Sequence, residues 1–147
     1  MNVLSQYTIK ALNTDEELIQ AFPIMQQLRP QLNQSSYLSL VKDAQKLERY
    51  QLHGLIKHNS LIALVGFKPM VTLYYGHFVW VCDLITDHHY RSQGFGEQLL
   101  NYVHNWADQN GYSSVALSSG LNRTDAHRFY EQKMTYTKAS YVFKYDL

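Results

Sequence analysis

Apolar and polar positions alternate, then space out, in an order that defines ten elements. Tyr7 to Leu12 alternates as a first strand, and Thr14 with Glu17 forms a capping box for a helix starting near Asp15. Leu18, Phe22, Met25 and Leu28 give that helix an apolar stripe, which Pro23 is expected to bend or interrupt and Pro30 to end. Ser35 or Ser36 is the expected cap of a second helix carrying Leu40, Val41, Ala44 and Leu47. Two strand patterns follow, 50–57 and 61–67, joined by a turn at Asn59-Ser60, with Val71 to Tyr75 extending the second and Gly76 turning the chain.

The run Trp80 to Thr86 is almost continuously apolar, the pattern of a buried strand. Helical spacing returns in Phe95, Leu99, Tyr102 or Val103, and Trp106, and ends at Asn110-Gly111. Ser114 to Ser118 reads as a strand, Thr124 to Gln132 as a short helix, and Thr135 to Tyr145 as one or two closing strands. The order β-α-α-β-β-β-α-β-α-β predicts an α+β (mixed α/β) fold, with a mixed, mostly antiparallel sheet and helices on both faces. The 147 residues fit one domain, 1–147, with one core.

Between the apolar strand and the helix after it lies Arg91-Ser-Gln-Gly-Phe-Gly96. Two glycines one residue apart let backbone approach an anion, and the first turn of a helix offers N–H groups that lack intrahelical partners. The segment is therefore a candidate cradle for a pyrophosphate. Leu99 stands where a dinucleotide-binding fingerprint would place its third glycine, and the Gly-Lys-Ser/Thr of a triphosphate loop is absent.

A formal charge of +1 leaves no polybasic footprint, which argues against nucleic acid or an anionic membrane as partner. The start of the chain lacks a signal-peptide pattern, no apolar run approaches the ~20 residues of a spanning helix, and a cytoplasmic location is expected. Cys82 is the single cysteine, so no internal disulfide can form, and it is expected to act as a small core hydrophobe. The histidines lack zincin spacing, no metal is expected, and most are assigned to loops or surface.

Two motifs converge. Arg91-x-x-Gly94-x-Gly96 resembles the acetyl-CoA pyrophosphate loop of the GNAT N-acetyltransferase superfamily, and Ala126-His-Arg-Phe-Tyr130 resembles that superfamily's A-x-x-F-Y helix, about thirty residues later as its spacing requires. The chain departs from many members in having Arg123 where they carry asparagine, and Lys133-Met134-Thr135 in place of a glycine-aromatic turn. Arg123-Thr-Asp-Ala-His-Arg-Phe-Tyr130 is instead similar to a subset that includes aminoalkylphosphonate acetyltransferase-like proteins.

The resemblance implies acetyl-CoA as donor, with no metal, and a small-molecule amine as acceptor. It implies that Arg91, Ser92, Gln93, Gly94, Phe95 and Gly96 hold the donor together with the backbone of Leu84, Ile85 and Thr86, with Arg123 and Phe129 as further contacts. Tyr130 is the implied proton donor to the leaving thiolate. A phenol near ~10 can protonate a thiolate of about 8.5. Asp83, an acid within an apolar strand, is the candidate base or amine-binding group, its bland alternative being a partner for lysine or arginine. Direct transfer in a ternary complex is expected. A non-catalytic CoA-binding regulatory module and a protein or peptide N-acetyltransferase remain alternatives, and a homodimer is left open.

Overall fold

The computed structural model describes residues 6–147. Its elements are β1 (Tyr7–Ala11), α1 (Asp15–Leu28), α2 (Gln34–Glu48), β2 (Gln51–Lys57), β3 (Ser60–Thr72), β4 (Gly76–Thr86), a 3-10 turn (His88–Tyr90), α3 (Phe95–Gln109), β5 (Val115–Leu117), α4 (Thr124–Arg128) and a π-helical turn (Phe129–Lys133). The sheet runs β1-β2-β3-β4-β5, with antiparallel pairing from β1 to β4. Ser113 N–H bonds the His77 carbonyl and Val79 N–H bonds the Ser114 carbonyl, so the partners advance together along both chains, the parallel sense. The expected mixed, mostly antiparallel sheet is present. Two compact units divide the chain, one through Ala116 and one from Leu117.

The α1 capping box forms as the sequence indicates. Thr14 Oγ1 accepts from Glu17 N–H at 3.1 Å, and Glu17 Oε1 accepts from Thr14 N–H at 3.1 Å. Pro23 does not end α1, which runs unbroken to Leu28. The ring forfeits one helical hydrogen bond, but Leu18, Ala21, Ile24 and Met25 are buried on either side of it, and tertiary packing holds the helix through the lost bond.

The cap of α2 is Asn33, not Ser35 or Ser36. Its amide oxygen accepts from Ser36 N–H at 2.8 Å, and Ser36 Oγ accepts from Asn33 N–H at 3.1 Å. The buried residues of the helix are Tyr37 and Val41, and Leu40 and Leu47, expected on the apolar stripe, are exposed. Tyr37 anchors α2 to α1 by donating to the Leu18 carbonyl at 2.7 Å.

The β2–β3 turn consists of His58 and Asn59, at φ 52 and 62, because Lys57 pairs with Ser60. Positive φ at both central residues is what a two-residue turn needs to match strand twist. β3 then runs thirteen residues and includes Pro69. Its pairing with β2 stops at Phe67, so Pro69 stands on an open edge where its missing N–H breaks no ladder.

Each sheet face carries helices. On one, Leu52, Leu64 and Ile85 pack with Leu18, Met25, Tyr37 and Val41 of α1 and α2. On the other, the Phe67 ring lies 5.1 Å from that of Trp106, and His53 lies 5.3 Å from both Phe67 and Tyr102. His53 stands outside the loop and surface positions expected of most histidines. It is 6 % exposed, bonded to Tyr102 Oη at 2.8 Å and Gln51 Oε1 at 3.0 Å.

The closing strands expected over 135–145 do not form. Tyr141, Val142, Phe143 and Tyr145 are exposed, and no strand follows β5 among the described residues. Strand propensity without a paired ladder does not make a strand.

Candidate functional site

The site in the first unit is organised by a bulge in β4. Gly66 pairs with Asp83 while the next residue, Phe67, pairs with Val81, so Cys82 is an extra residue with no cross-strand partner. A bulge frees backbone polar groups and re-aims side chains. Arg29, the C-cap of α1, meets both consequences, with Nη2 donating to the Cys82 carbonyl at 2.8 Å and Nε to Asp83 Oδ1 at 3.1 Å. Tyr50 donates its phenol proton to Asp83 Oδ2 at 2.7 Å.

Asp83 is therefore a paired carboxylate, with a side chain 16 % exposed beside an arginine 39 % exposed. Burial and the Asp83 charge push the Tyr50 phenol well above its ordinary value, keeping it a hydrogen-bond donor. The same causes push Tyr37 up to about 12. Gly66 makes room for this arrangement, since a Cβ there would meet Tyr50 Oη at 1.9 Å. Cys82 packs against the core of that face, and burial first, then Asp83, lifts its thiol to about 12. A thiol held protonated is a poor nucleophile, in keeping with a packing role.

Beyond the bulge, Asp87 N–H bonds the Ile62 carbonyl at 2.8 Å. Antiparallel alternation then turns the backbone groups of Ile85 toward β3 and those of Leu84 and Thr86 toward the opposite edge. Arg91 Nε reaches back to the Thr86 carbonyl at 3.2 Å, so the expected donor-binding strand and loop residues meet.

The loop has the backbone shape that an anion site requires. Ser92 and Gly94 adopt φ 62 and 88, and Gly94 caps α3 with no side-chain hydrogen bond. The first helical bond of α3 is Gln98 N–H to the Gly94 carbonyl, leaving the Phe95 and Gly96 amides ahead of it at the positive end of the helix. A Cβ on Gly94 would have nothing within 4 Å, so its backbone is open to a ligand. These features fit a diphosphate.

Phe95 turns its ring away from solvent, into the core. Its ring is 3 % exposed, with Lys57 Nζ at 5.6 Å from the ring centroid. A cavity of about 180 Å3 bounded by Lys57, His58, Ser60, Tyr90, Gln93 and Phe95 lies between the β2–β3 hairpin and the loop.

Asp87, His88 and His89 bring possible ligand atoms within 4.8 Å of one another. Asp87 is engaged as the cap of the 3-10 turn, accepting from His89 N–H at 3.1 Å. That local bond accounts for its position.

The second unit carries Arg123, Phe129 and Tyr130. Arg123 occupies the N-cap of α4 without a side-chain capping bond. His127 bonds the Gly120 carbonyl at 2.9 Å, and Arg128 pairs with Asp125. α4 passes directly into the π-helical turn, whose Met134 N–H returns to the Phe129 carbonyl at 3.0 Å. Phe129 and Tyr130 begin that widened turn, their rings 5.4 Å apart. Burial raises the Tyr130 phenol, with the Arg123 charge acting in the opposite direction.

Residues 16–136 match the sequence profile of the acetyltransferase (GNAT) family. The chain belongs to the GNAT family. It is 40% identical over 136 residues to YhdJ of Bacillus subtilis, named as an uncharacterized N-acetyltransferase, covering 92% of this chain and 96% of that protein. The structure is similar to a transcriptional regulator from Bacillus halodurans, with a TM-score of 0.83 and 21% identity over 96% of this chain and 99% of that one. An aminoglycoside N-acetyltransferase in complex with CoA also gives 0.83, at 15% identity over 96% and 94%. Both likenesses are of fold.

This GNAT chain is thus an acyltransferase that uses acetyl-CoA. Arg29 and Tyr50 escaped the sequence reading. Arg29 is 54 positions from Asp83, and no local pattern links them.

Proposed function

We propose that this GNAT enzyme moves the acetyl group of acetyl-CoA to the primary amine of a small molecule, by direct attack in a ternary complex. The observation that carries the reading is the succession along β4. A largely buried acid, 16 % exposed, sits at the bulge, a turned-out backbone edge at Leu84 and Thr86 comes next, and a left-handed glycine loop follows.

Acetyl-CoA supplies an activated thioester. In the balance of the reaction an N–C bond forms as a C–S bond breaks, the amine loses a proton and the leaving thiolate gains one. We assign the backbone of Arg91 to Gly96 to the diphosphate, with Arg91 also tying the loop to Thr86. The Leu84 and Thr86 edge would hold the donor's amide arm as an added strand, and an outward N–H would polarise the thioester carbonyl. Ile85 contributes by pairing with Leu64 and keeping that edge straight.

Asp83 orients the incoming amine through the lone pairs that Arg29 and Tyr50 leave open. Tyr130, its phenol raised by burial, keeps a proton on Oη at neutral pH and is assigned its delivery to the thiolate. Arg123 is assigned to an anionic group of donor or acceptor, and Phe129 to contact with the donor. The Arg123-x-Asp125-Ala126-His127-x-Phe129-Tyr130 pattern supports a place in the aminoalkylphosphonate-type subset.

Solved structures of similar fold include a ribosomal-protein-alanine N-acetyltransferase at 18% identity as well as the aminoglycoside enzyme at 15%. A fold shared at that distance does not choose the acceptor. Initial velocities with both substrates varied test the reading. Intersecting double-reciprocal lines with a small amine are expected, and parallel lines would show a covalent enzyme intermediate instead.

A further inference from the structure

Arg29 makes two bonds that no single structural purpose explains. Helix α1 is already closed by the Arg29 backbone N–H, which bonds the Met25 carbonyl at 2.9 Å. The side chain is therefore not needed for that end. It reaches instead to the two residues that the β4 bulge displaces, the Cys82 carbonyl through Nη2 and Asp83 Oδ1 through Nε. The bulged carbonyl has lost its ladder partner, and an unsatisfied carbonyl within a half-buried strand would draw the bulge back toward regular pairing or toward water.

We propose that Arg29 is a positioning residue for acetyl transfer, locking the Cys82 bulge of β4 and thereby fixing Asp83 relative to the Leu84 and Thr86 edge. This rests on the roles given above to Asp83 and to that edge.

The geometry is specific to a guanidinium. Its planar fork reaches a carbonyl and a carboxylate oxygen at once, whereas an ammonium is a point donor on a freely turning stem. Tyr50 completes the hold on the other oxygen, and its place depends on the missing Cβ of Gly66. The groups around Asp83 come from every element packed there, Arg29 from α1, Tyr37 from α2, Tyr50 ahead of β2 and Cys82 on β4, with the Lys68–Glu48 pair beside Cys82. Among these, only Arg29 bonds both the bulged backbone and the acid.

The test is a kinetic cycle of Arg29→Met, Arg29→Lys, Asp83→Asn and the double variant Arg29→Met/Asp83→Asn, with acetyl-CoA binding and thermal unfolding measured on each. Arg29→Met is expected to lower kcat/KM for the amine about tenfold or more, with Arg29→Lys recovering part of the loss. The double variant should fall little below Asp83→Asn alone, because Arg29 acts through the residue already removed. Acetyl-CoA dissociation, governed by the loop, should stay within about twofold of wild type.

Wild-type kinetics in Arg29→Met, or a double variant whose losses simply multiply, would overturn the inference. If Arg29→Met does not fold, Arg29→Lys carries the test, and wild-type kinetics there overturn it equally. Asp83→Asn by itself reports on the proposed function, so a silent Asp83→Asn condemns that reading while a silent Arg29→Met beside a damaged Asp83→Asn condemns only the role of Arg29.

Discussion

Gly94 and Gly66 are glycines for opposite reasons. Gly94 has open space around its missing Cβ but holds φ 88, so the demand there is conformational. Gly94→Ala should cost about 1–2 kcal/mol for the left-handed backbone. It should also weaken acetyl-CoA binding, read by unfolding midpoints and by titration of the cofactor. At Gly66 the demand is steric, because an added Cβ falls on the Tyr50 phenol. Gly66→Ala should eject that phenol from Asp83, lowering turnover while sparing acetyl-CoA affinity; an unaltered amine KM and kcat would show that the Tyr50 bond is dispensable. Tyr130→Phe removes one proton and little volume, so kcat should fall far more than cofactor affinity, and equal losses in both would return Tyr130 to packing. The turn at Gly94 that opens α3 was legible from sequence, being carried by a local motif. Arg29 and Tyr50 were not, since their meaning arises only when strand pairing brings distant positions together.

Elements were legible where one face had to be buried and local chemistry agreed with it. The α1 cap and the α3 stripe of Phe95, Leu99 and Val103 follow from the sequence because both signals coincide. The α2 start slipped by two or three residues because Asn33, Ser35 and Ser36 can all cap, and Asn33 is the one that forms the reciprocal bonds, with Ser36 as its partner. The strands expected after 135 show the limit of propensity, for exposed aromatics at 141, 143 and 145 alternate well yet have no ladder in this structure.

Stability at the packing of β2 against α3 is expected to depend on pH. Burial holds both His53 and His104 below the ordinary 6.5 in the folded chain. As pH falls below about 6.5 the unfolded chain takes up these protons first, and stability present above that value is lost progressively toward the lowered folded values. Urea midpoints should therefore drop between pH ~7.5 and ~5.5, and His53→Gln should flatten that dependence. A wild-type midpoint that rises on acidification would contradict the sign.

At the scale of the molecule, a charge of +1 and a single partly buried cysteine describe an enzyme without a dominant field or an accessible reactive thiol. No helix among the described residues is long and apolar enough to cross a membrane. The family could be recognised from two short motifs, Arg91 to Gly96 and Ala126 to Tyr130, because each is contiguous in the sequence. Arg29, Tyr50 and Asp83 come from separate positions, and a sequence records them without recording that they meet. The central claim is most directly tested by measuring thiol release together with the mass of the acetylated product, for acetyl-CoA against a panel of small primary amines, aminophosphonates, aminoglycosides, polyamines and peptides. One thiol released per small amine acetylated is the predicted result. Acetyl-CoA binding with no amine-dependent thiol release, or acetylation confined to peptides, would contradict it.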